Sequence, residues 1–330
     1  MKASTMPVIS VTTDSERLTM NVVADFPVPV RRLWDAYADP RQIERFWGPP
    51  GYPATFTRHD LFPGGRSEYF MTGPDGTRSF CFWEFLAVEE GHSFEVQDGW
   101  TAEDGEPSSD MPSVRVLFAF DETPDGSRLT SSATFPSSEA MGKLVSMGVV
   151  EGTKAAMAQI DQVVSDLVTF APGRALEWTL IGDDRVRITR VLRGTLQQVW
   201  HAHHDSELIR RWMYGPEGWS ISECTPAVDG GEHYRYVFEP SPGVEGRTFA
   251  IGGELLESVP PRREVSLESM EGIEGPPARN VQTFIPVGGG TLLSLVITYA
   301  SAEQRDMVLG TGMTDGMEIT YSRLENVLAR

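Results

Sequence analysis

Cysteine is nearly absent from this chain of 330 residues: there are two, Cys81 and Cys224. They fall at non-equivalent places in opposite halves, so no disulfide framework is needed, and both read as buried free thiols of a reducing compartment. No apolar run approaches the roughly 20 residues that a membrane-spanning helix requires. The opening KASTMPVISVTTDSERLTM lacks the continuous apolar core of a secretion signal and the Arg-rich balance of a transit peptide. Basic residues are scarce as well: 28 Lys and Arg stand against 47 Asp and Glu, and the formal charge of −19 opposes attraction to phosphate backbones or anionic lipid. The expected location is the cytoplasm, with neither nucleic acid nor membrane as a partner. There is also no G-x-S-x-G, and neither cysteine sits in a recognisable nucleophile motif.

What the chain does have is an internal repeat. The tract from Leu196 to Trp219, LQQVWHAHHDSELIRRWMYGPEGW, follows the pattern of VRRLWDAYADPRQIERFWGPPGY from Val30 to Tyr52. Trp34 matches Trp200, Asp39 matches Asp205 and Ile43 matches Ile209, all at an offset of 166, and a Gly-Pro turn closes both tracts. An offset that long means two copies of a whole domain, because solenoid repeats recur at much shorter periods. The expected boundaries are 1–170 and 174–330, with a short linker between them. Each tract carries apolar residues at helical spacing, then an Asp, then a second short run, which predicts two short helices with a bend between them.

Around these tracts the pattern turns to strands. Arg17–Phe26 alternates like a first strand, and six strand-like runs between Thr55 and Phe135 are separated by turns such as Pro63-Gly64-Gly65 and Pro124-Asp125-Gly126. Such punctuation predicts sequential antiparallel strands. The polar segment 98–113 reads as a loop. Apolar residues at helical spacing then run from Leu144 to Leu167, predicting one long helix. The second half repeats the order, from a strand at Arg185–Leu192 to a final helix over Ala302–Leu328. The fold class is therefore α+β, with each sheet packed against a long C-terminal helix.

The motifs VWHAHHDSELIRRWMYGPEGW, GGEHYRYVF, GELLESVPPRR and TGMTDGMEITYSRLENVL resemble the helix-grip superfamily of START-like domains, and within it the family of the C-terminal domain of the activator of Hsp90 ATPase. The resemblance covers nearly the whole chain. It implies two consecutive domains, each a curved antiparallel sheet gripping its C-terminal helix around a cavity. It implies a range of functions too, since similar domains include lipid and hormone binders and polyketide aromatase/cyclases, so the fold alone decides little.

A concave apolar cavity with a few polar groups is where a small molecule binds. The expected lining is Trp47, Tyr69, Trp83, Glu84 and Met147 in the first copy, and Trp212, Tyr236, Glu254, Met313 and Met317 in the second; simple core filling is the plainer alternative for each ring and methionine, and the solvent face of the strand is the plainer one for Glu84 and Glu254. Phe82-Trp83 correspond to Gly252-Gly253, which predicts a more open second cavity. His201 and His204 sit three apart on one helix but lack a third ligand at zinc spacing, so no metal is expected. Gly310, Gly312 and Gly316 lie inside or near a bend of the C-terminal helix, outside the strand-to-helix setting of a dinucleotide loop, and are read as allowing close approach to the sheet. No cofactor is expected. The leading expectation is non-enzymatic binding of a small hydrophobic or amphipathic molecule. The alternatives are an aromatase/cyclase-like enzyme using Arg235, Tyr236 and Glu254, and a chaperone-linked module, the weakest because the co-chaperone's separate N-terminal domain has no counterpart in the chain.

Overall fold

The computed structural model describes residues 7–102, 105–108, 110–227, 233–272 and 275–329. The chain divides into two compact units, Met1–Thr169 and Phe170–Arg330. Both are α+β helix-grip domains, and each is built in the same order.

In the first, β1 (Val8–Asp14) and β2 (Thr19–Phe26) lead into α1 (Val30–Ala38) and α2 (Pro40–Ile43). Six strands follow: β3 (Ala54–His59), β4 (Arg66–Thr72), β5 (Arg78–Glu89), β6 (Ser93–Thr101), β7 (Val114–Thr123) and β8 (Gly126–Thr134). The sheet order is β1-β2-β8-β7-β6-β5-β4-β3, antiparallel throughout. Two helices close the domain, α3 (Ser138–Ser146) and α4 (Val149–Val164). The second domain repeats this with β9 (Glu177–Ile181), β10 (Arg185–Leu192), α5 (Leu196–His204), α6 (Ser206–Trp212), β11 (Trp219–Thr225), β12 (His233–Pro240), β13 (Phe249–Val259), β14 (Arg263–Met270), β15 (Ala278–Val287), β16 (Gly290–Thr298), α7 (Ala302–Gly310) and α8 (Met313–Leu328).

The repeated aspartate explains the bend in each helix pair. Asp39 and Asp205 have extended backbones and cap the second helix of their pairs: Asp39 accepts from the Arg41 N–H, and Asp205 from the N–H groups of Glu207 and Leu208. A side-chain carboxylate there satisfies amide donors that a new helix leaves open. The Gly-Pro turn after each pair is held by the C-terminal helix. Gln159 donates to the carbonyls of Phe46 and Gly48, and at the matching position Arg323 donates to those of Tyr214 and Gly215.

Five expectations need correction. The C-terminal helix is broken in both domains: Gly148 and Gly312 take left-handed φ values of 88° and 81°, ending one helix and starting the next. A side chain built on Gly148, Gly310, Gly312 or Gly316 would meet open space, so none of these glycines marks a close approach to the sheet, and the left-handed Gly148 and Gly312 serve the turn. Each sheet also gains an edge strand, β1 and β9, ahead of the strand expected to be first. Finally, β6 runs on to Thr101, and Thr101 bridges to Pro107, so the start of 98–113 is strand; residues 103–104 and 109 of that segment lie outside the described residues. Both cysteines are free, but only Cys81 is buried and Cys224 is half-buried.

Candidate ligand-binding interiors

The strand registers align the two interiors residue by residue. On β5 and β6 Trp83 faces Asp98, and on β13 and β14 Gly253 faces Glu268. Each domain therefore carries one carboxyl at the same place on the helix side of its sheet. Moving along the same strands, Phe94 and Val96 correspond to Glu264 and Ser266, and their cross-strand partners Phe118 and Val116 correspond to Gln282 and Asn280. The first interior is a ring cluster; the second is polar at the matching positions.

In the first domain Trp83 is 1% exposed and packs against Trp47, Tyr69 and Phe118, with ring centroids 4.6, 5.9 and 5.9 Å away. Tyr69 stacks on Phe56 at 4.8 Å. Tyr37, from α1, sits among Phe46, Phe118 and Phe120, and its hydroxyl has no hydrogen-bond partner among the described residues. Loss of water pushes the half-buried Asp98 carboxyl up to about 7, against the opposing pull of the Trp83 indole, the Gly99 N–H and the Tyr69 hydroxyl. The indole Nε1 lies near the carboxyl without closing a hydrogen bond of ordinary geometry. Burial, reinforced by Asp98, also pushes the Cys81 thiol up, which makes it a poor nucleophile.

In the second domain Tyr234 donates to Glu268 at 2.9 Å. Burial raises the Glu268 carboxyl, while hydrogen bonds from Tyr234 and Asn280 pull it down. Its charge reaches Tyr236, Tyr299 and Tyr321, so it faces the helix side of the sheet. The Asn280 Oδ1 is buried and has no partner among the described residues. Tyr234 stands at the register position of Ser67, and its hydroxyl lies 3.0 Å from where a Cβ on Gly253 would be. A phenol from the neighbouring strand thus lies beside Gly253. Tyr234 occupies the flank that Trp83 fills in the first domain, and Phe82 lies on the opposite face, under the Arg66 guanidinium.

Among the residues expected to line the cavities, Trp47, Tyr69 and Trp83 come together in one cluster. Glu84 does not join them: strand alternation turns it outward, 52% exposed and paired with Arg66 at 2.8 Å. Met147 is 59% exposed at the helix break. In the second domain Trp212 is buried, donates to the Ala202 carbonyl at 2.9 Å and stacks on Tyr321 at 5.9 Å. Met313 and Met317 pack from α8 onto the same apolar group. Tyr236 is half-buried and lies with a second apolar group around Ile209, Ile221 and Phe238. Glu254 is exposed on the outer face. The set Arg235, Tyr236 and Glu254 is dispersed, since Arg235 is fixed on the outside between Glu223 and Glu271.

The histidines divide their roles. His204 spends both nitrogens, Nδ1 on the Trp200 carbonyl at 2.7 Å and Nε2 on Glu264 at 2.8 Å. His201 is exposed near Asp205. No group of three or more metal-binding side chains occurs among the described residues. Likewise, no helix among them is long and apolar enough to cross a membrane.

The residues missed from sequence are Asp98, Tyr234, Glu268 and Asn280. Pairing the copies strand by strand would have set Asp98 against Glu268, but which face they occupy depends on register.

The family profile described as Activator of Hsp90 ATPase homolog 1-like protein matches residues 27–165 and again 193–329. Among solved structures the chain is similar to protein Ms6760 from Mycobacterium smegmatis, at 46% identity over 50% of this chain and 99% of that one, with a TM-score of 0.45. It is also similar to a protein from Arthrobacter aurescens, at 40% identity over 48% of this chain and 92% of that one, with a TM-score of 0.47. A likeness to DynU16, from the dynemicin biosynthetic locus, covers 94% of this chain and 99% of that one at 14% identity and a TM-score of 0.34. No curated protein matches the chain.

Proposed function

Because the chain belongs, through both of its halves, to the Activator of Hsp90 ATPase homolog 1-like family, we propose that it binds a small amphipathic molecule in the interior of its second domain, between the sheet and α8, without chemistry of its own. The observation that carries this reading is the Tyr234–Glu268 contact together with the unpartnered Asn280 Oδ1. A carboxyl and an amide oxygen drawn out of water are unfavourable in an empty core, and a ligand's polar end would compensate them. Among the described residues, buried apolar side chains gather around Trp212, Phe284 and Leu324 and around Ile209, Ile221 and Phe238, with Met213 packed against both groups. Apolar walls with a few convergent polar groups suit such a molecule. In the first domain rings fill the same positions, and its role in this reading is structural.

The test is native mass spectrometry of the full chain purified from its own host, beside Glu268→Leu and Asp98→Leu variants. A bound small molecule lost in the first variant and kept in the second supports the proposal. Absence of any bound molecule, together with no saturable uptake of an apolar fluorescent probe, sinks it.

A second reading, aromatase/cyclase-like proton transfer on a poly-β-keto substrate, draws support from the same contact. A carboxyl held above its ordinary range beside a phenol can exchange a proton with an enol. It requires turnover by the full chain, and a Tyr234→Phe variant as active as the wild type would remove it.

A further inference from the structure

His203 stands one helical turn after Val199 on α5, and its Nδ1 lies 2.8 Å from the Val199 carbonyl. A carbonyl oxygen only accepts, so Nδ1 carries the proton and Nε2 bears a lone pair. That Nε2 is buried and has no hydrogen-bond partner among the described residues. The ring lies between Trp212, Phe284 and Tyr321, with centroids 5.0, 5.1 and 6.3 Å away. The Trp212 indole N–H does not serve it, being used on the Ala202 carbonyl. Phe284 belongs to β15, the strand that also carries Asn280 and Gln282, and the three share one face by alternation. The lone pair is thus presented to the interior that holds the polar positions of the second domain.

Building on the proposed binding function, we infer that His203 is the specificity-determining acceptor of this interior, taking a hydrogen bond through Nε2 from the hydroxyl or N–H of a flat aromatic ligand held among Trp212, Phe284 and Tyr321. Three aromatic side chains around one acceptor suit a planar partner, which meets them by offset or edge contacts. An acceptor left without a donor in the core is unfavourable, and the ligand's donor relieves that penalty. The matching residue of the first domain is Tyr37, so this helical position points inward in both copies, but only the second offers an acceptor without a proton of its own. Burial pushes the imidazole down to about 4, so it stays neutral at physiological pH and keeps the lone pair. Met313 and Met317, on α8 beside these rings, are flexible enough to yield room.

The experiment uses the full chain and two probes, 2-naphthol and 2-methoxynaphthalene, which share a ring system and differ in the donor. Wild-type protein is expected to prefer the naphthol by about three- to tenfold, as one net hydrogen bond implies. His203→Phe is expected to bind the methoxy compound as before and to lose the preference. Should His203→Phe fail to fold, nitrogen NMR of the wild-type protein decides: the His203 Nε2 resonance should move with 2-naphthol and stay with 2-methoxynaphthalene. Equal affinity of the two probes for the wild type, or an unchanged preference in the variant, overturns the assignment to His203 while leaving the binding function intact. If neither probe binds, the assignment to His203 falls, and native mass spectrometry of the purified chain decides the binding function separately.

Discussion

Tyr234 and Gly253 face each other across β12 and β13 at the register where the first domain pairs Ser67 with Trp83. The large and small members have changed strands. One interior is closed by an indole from β5, and the other is crossed by a phenol from β12 that reaches Glu268. Three experiments follow from this exchange and from the carboxyls beneath it, and a fourth from the broken helices.

Gly253 tolerates no side chain. A Cβ there would stand 1.7 Å from the Leu267 carbonyl oxygen, a backbone atom that can move only with its strand. Gly253→Ala is expected to lower stability by about 2 kcal/mol or more, in the range of overpacked cores. A urea midpoint for the full chain within error of the wild type would contradict this.

Removing the Tyr234 hydroxyl strips Glu268 of its 2.9 Å donor. Tyr234→Phe should cost about 1–3 kcal/mol, the usual penalty for leaving a buried polar group short of a partner. It should also weaken uptake of an amphipathic probe, whereas Tyr69→Phe in the first domain should leave uptake unchanged. Isothermal titration of the two variants side by side makes the comparison, and equal losses would argue against the second domain as the binder.

Asp98 gives the first domain a pH dependence of definite sign. Its carboxyl is raised to about 7 in the folded protein, above an ordinary value near 4. Between about pH 4 and 7 the folded state keeps a proton that the unfolded chain has lost, so stability falls as pH rises, by at most about 1.4 kcal/mol per unit, and levels off above that window. Asp98→Asn cannot ionise. Its stability profile should be flatter than the wild type's across that range and higher at about pH 8. Unfolding midpoints taken at intervals across the range provide the measurement, and parallel profiles would rule the effect out.

Gly148 and Gly312 should behave alike and unlike Gly253. Neither would meet a neighbour if given a Cβ, yet both are left-handed. Alanine at either site is expected to cost about 1–2 kcal/mol from backbone conformation alone. Alanine at Gly152 or Gly316, inside the helices and without a positive φ, should be neutral or stabilising. Thermal unfolding of the four variants separates the cases.

Much of this architecture is readable from sequence because it rests on local chemistry. Strands bounded by Pro-Gly and Asp-Gly turns, such as Arg66–Thr72, fall where alternation puts them. The aspartate in each helix pair announces a cap. The helix break was hidden because Met147 and Met313 continue the apolar spacing across a glycine, and periodicity carries no information about φ. The interior carboxyls were hidden for another reason. Glu84 and Glu254 share the strands that line the interior but occupy the opposite face, and one residue of register separates a solvent-facing acid from a buried one. Only the pairing of Trp83 with Asp98 and of Gly253 with Glu268 resolves which is which.

The two broken helices carry one more implication. The same glycine, in the same left-handed conformation, interrupts the last helix of each domain, and an acid holds the same place in each sheet. Features shared this closely are those that two copies of one domain hold in common. The difference lies around them: one copy carries rings, and the other hydroxyls, amides and an imidazole. The chain holds two differently furnished versions of the same interior in one polypeptide.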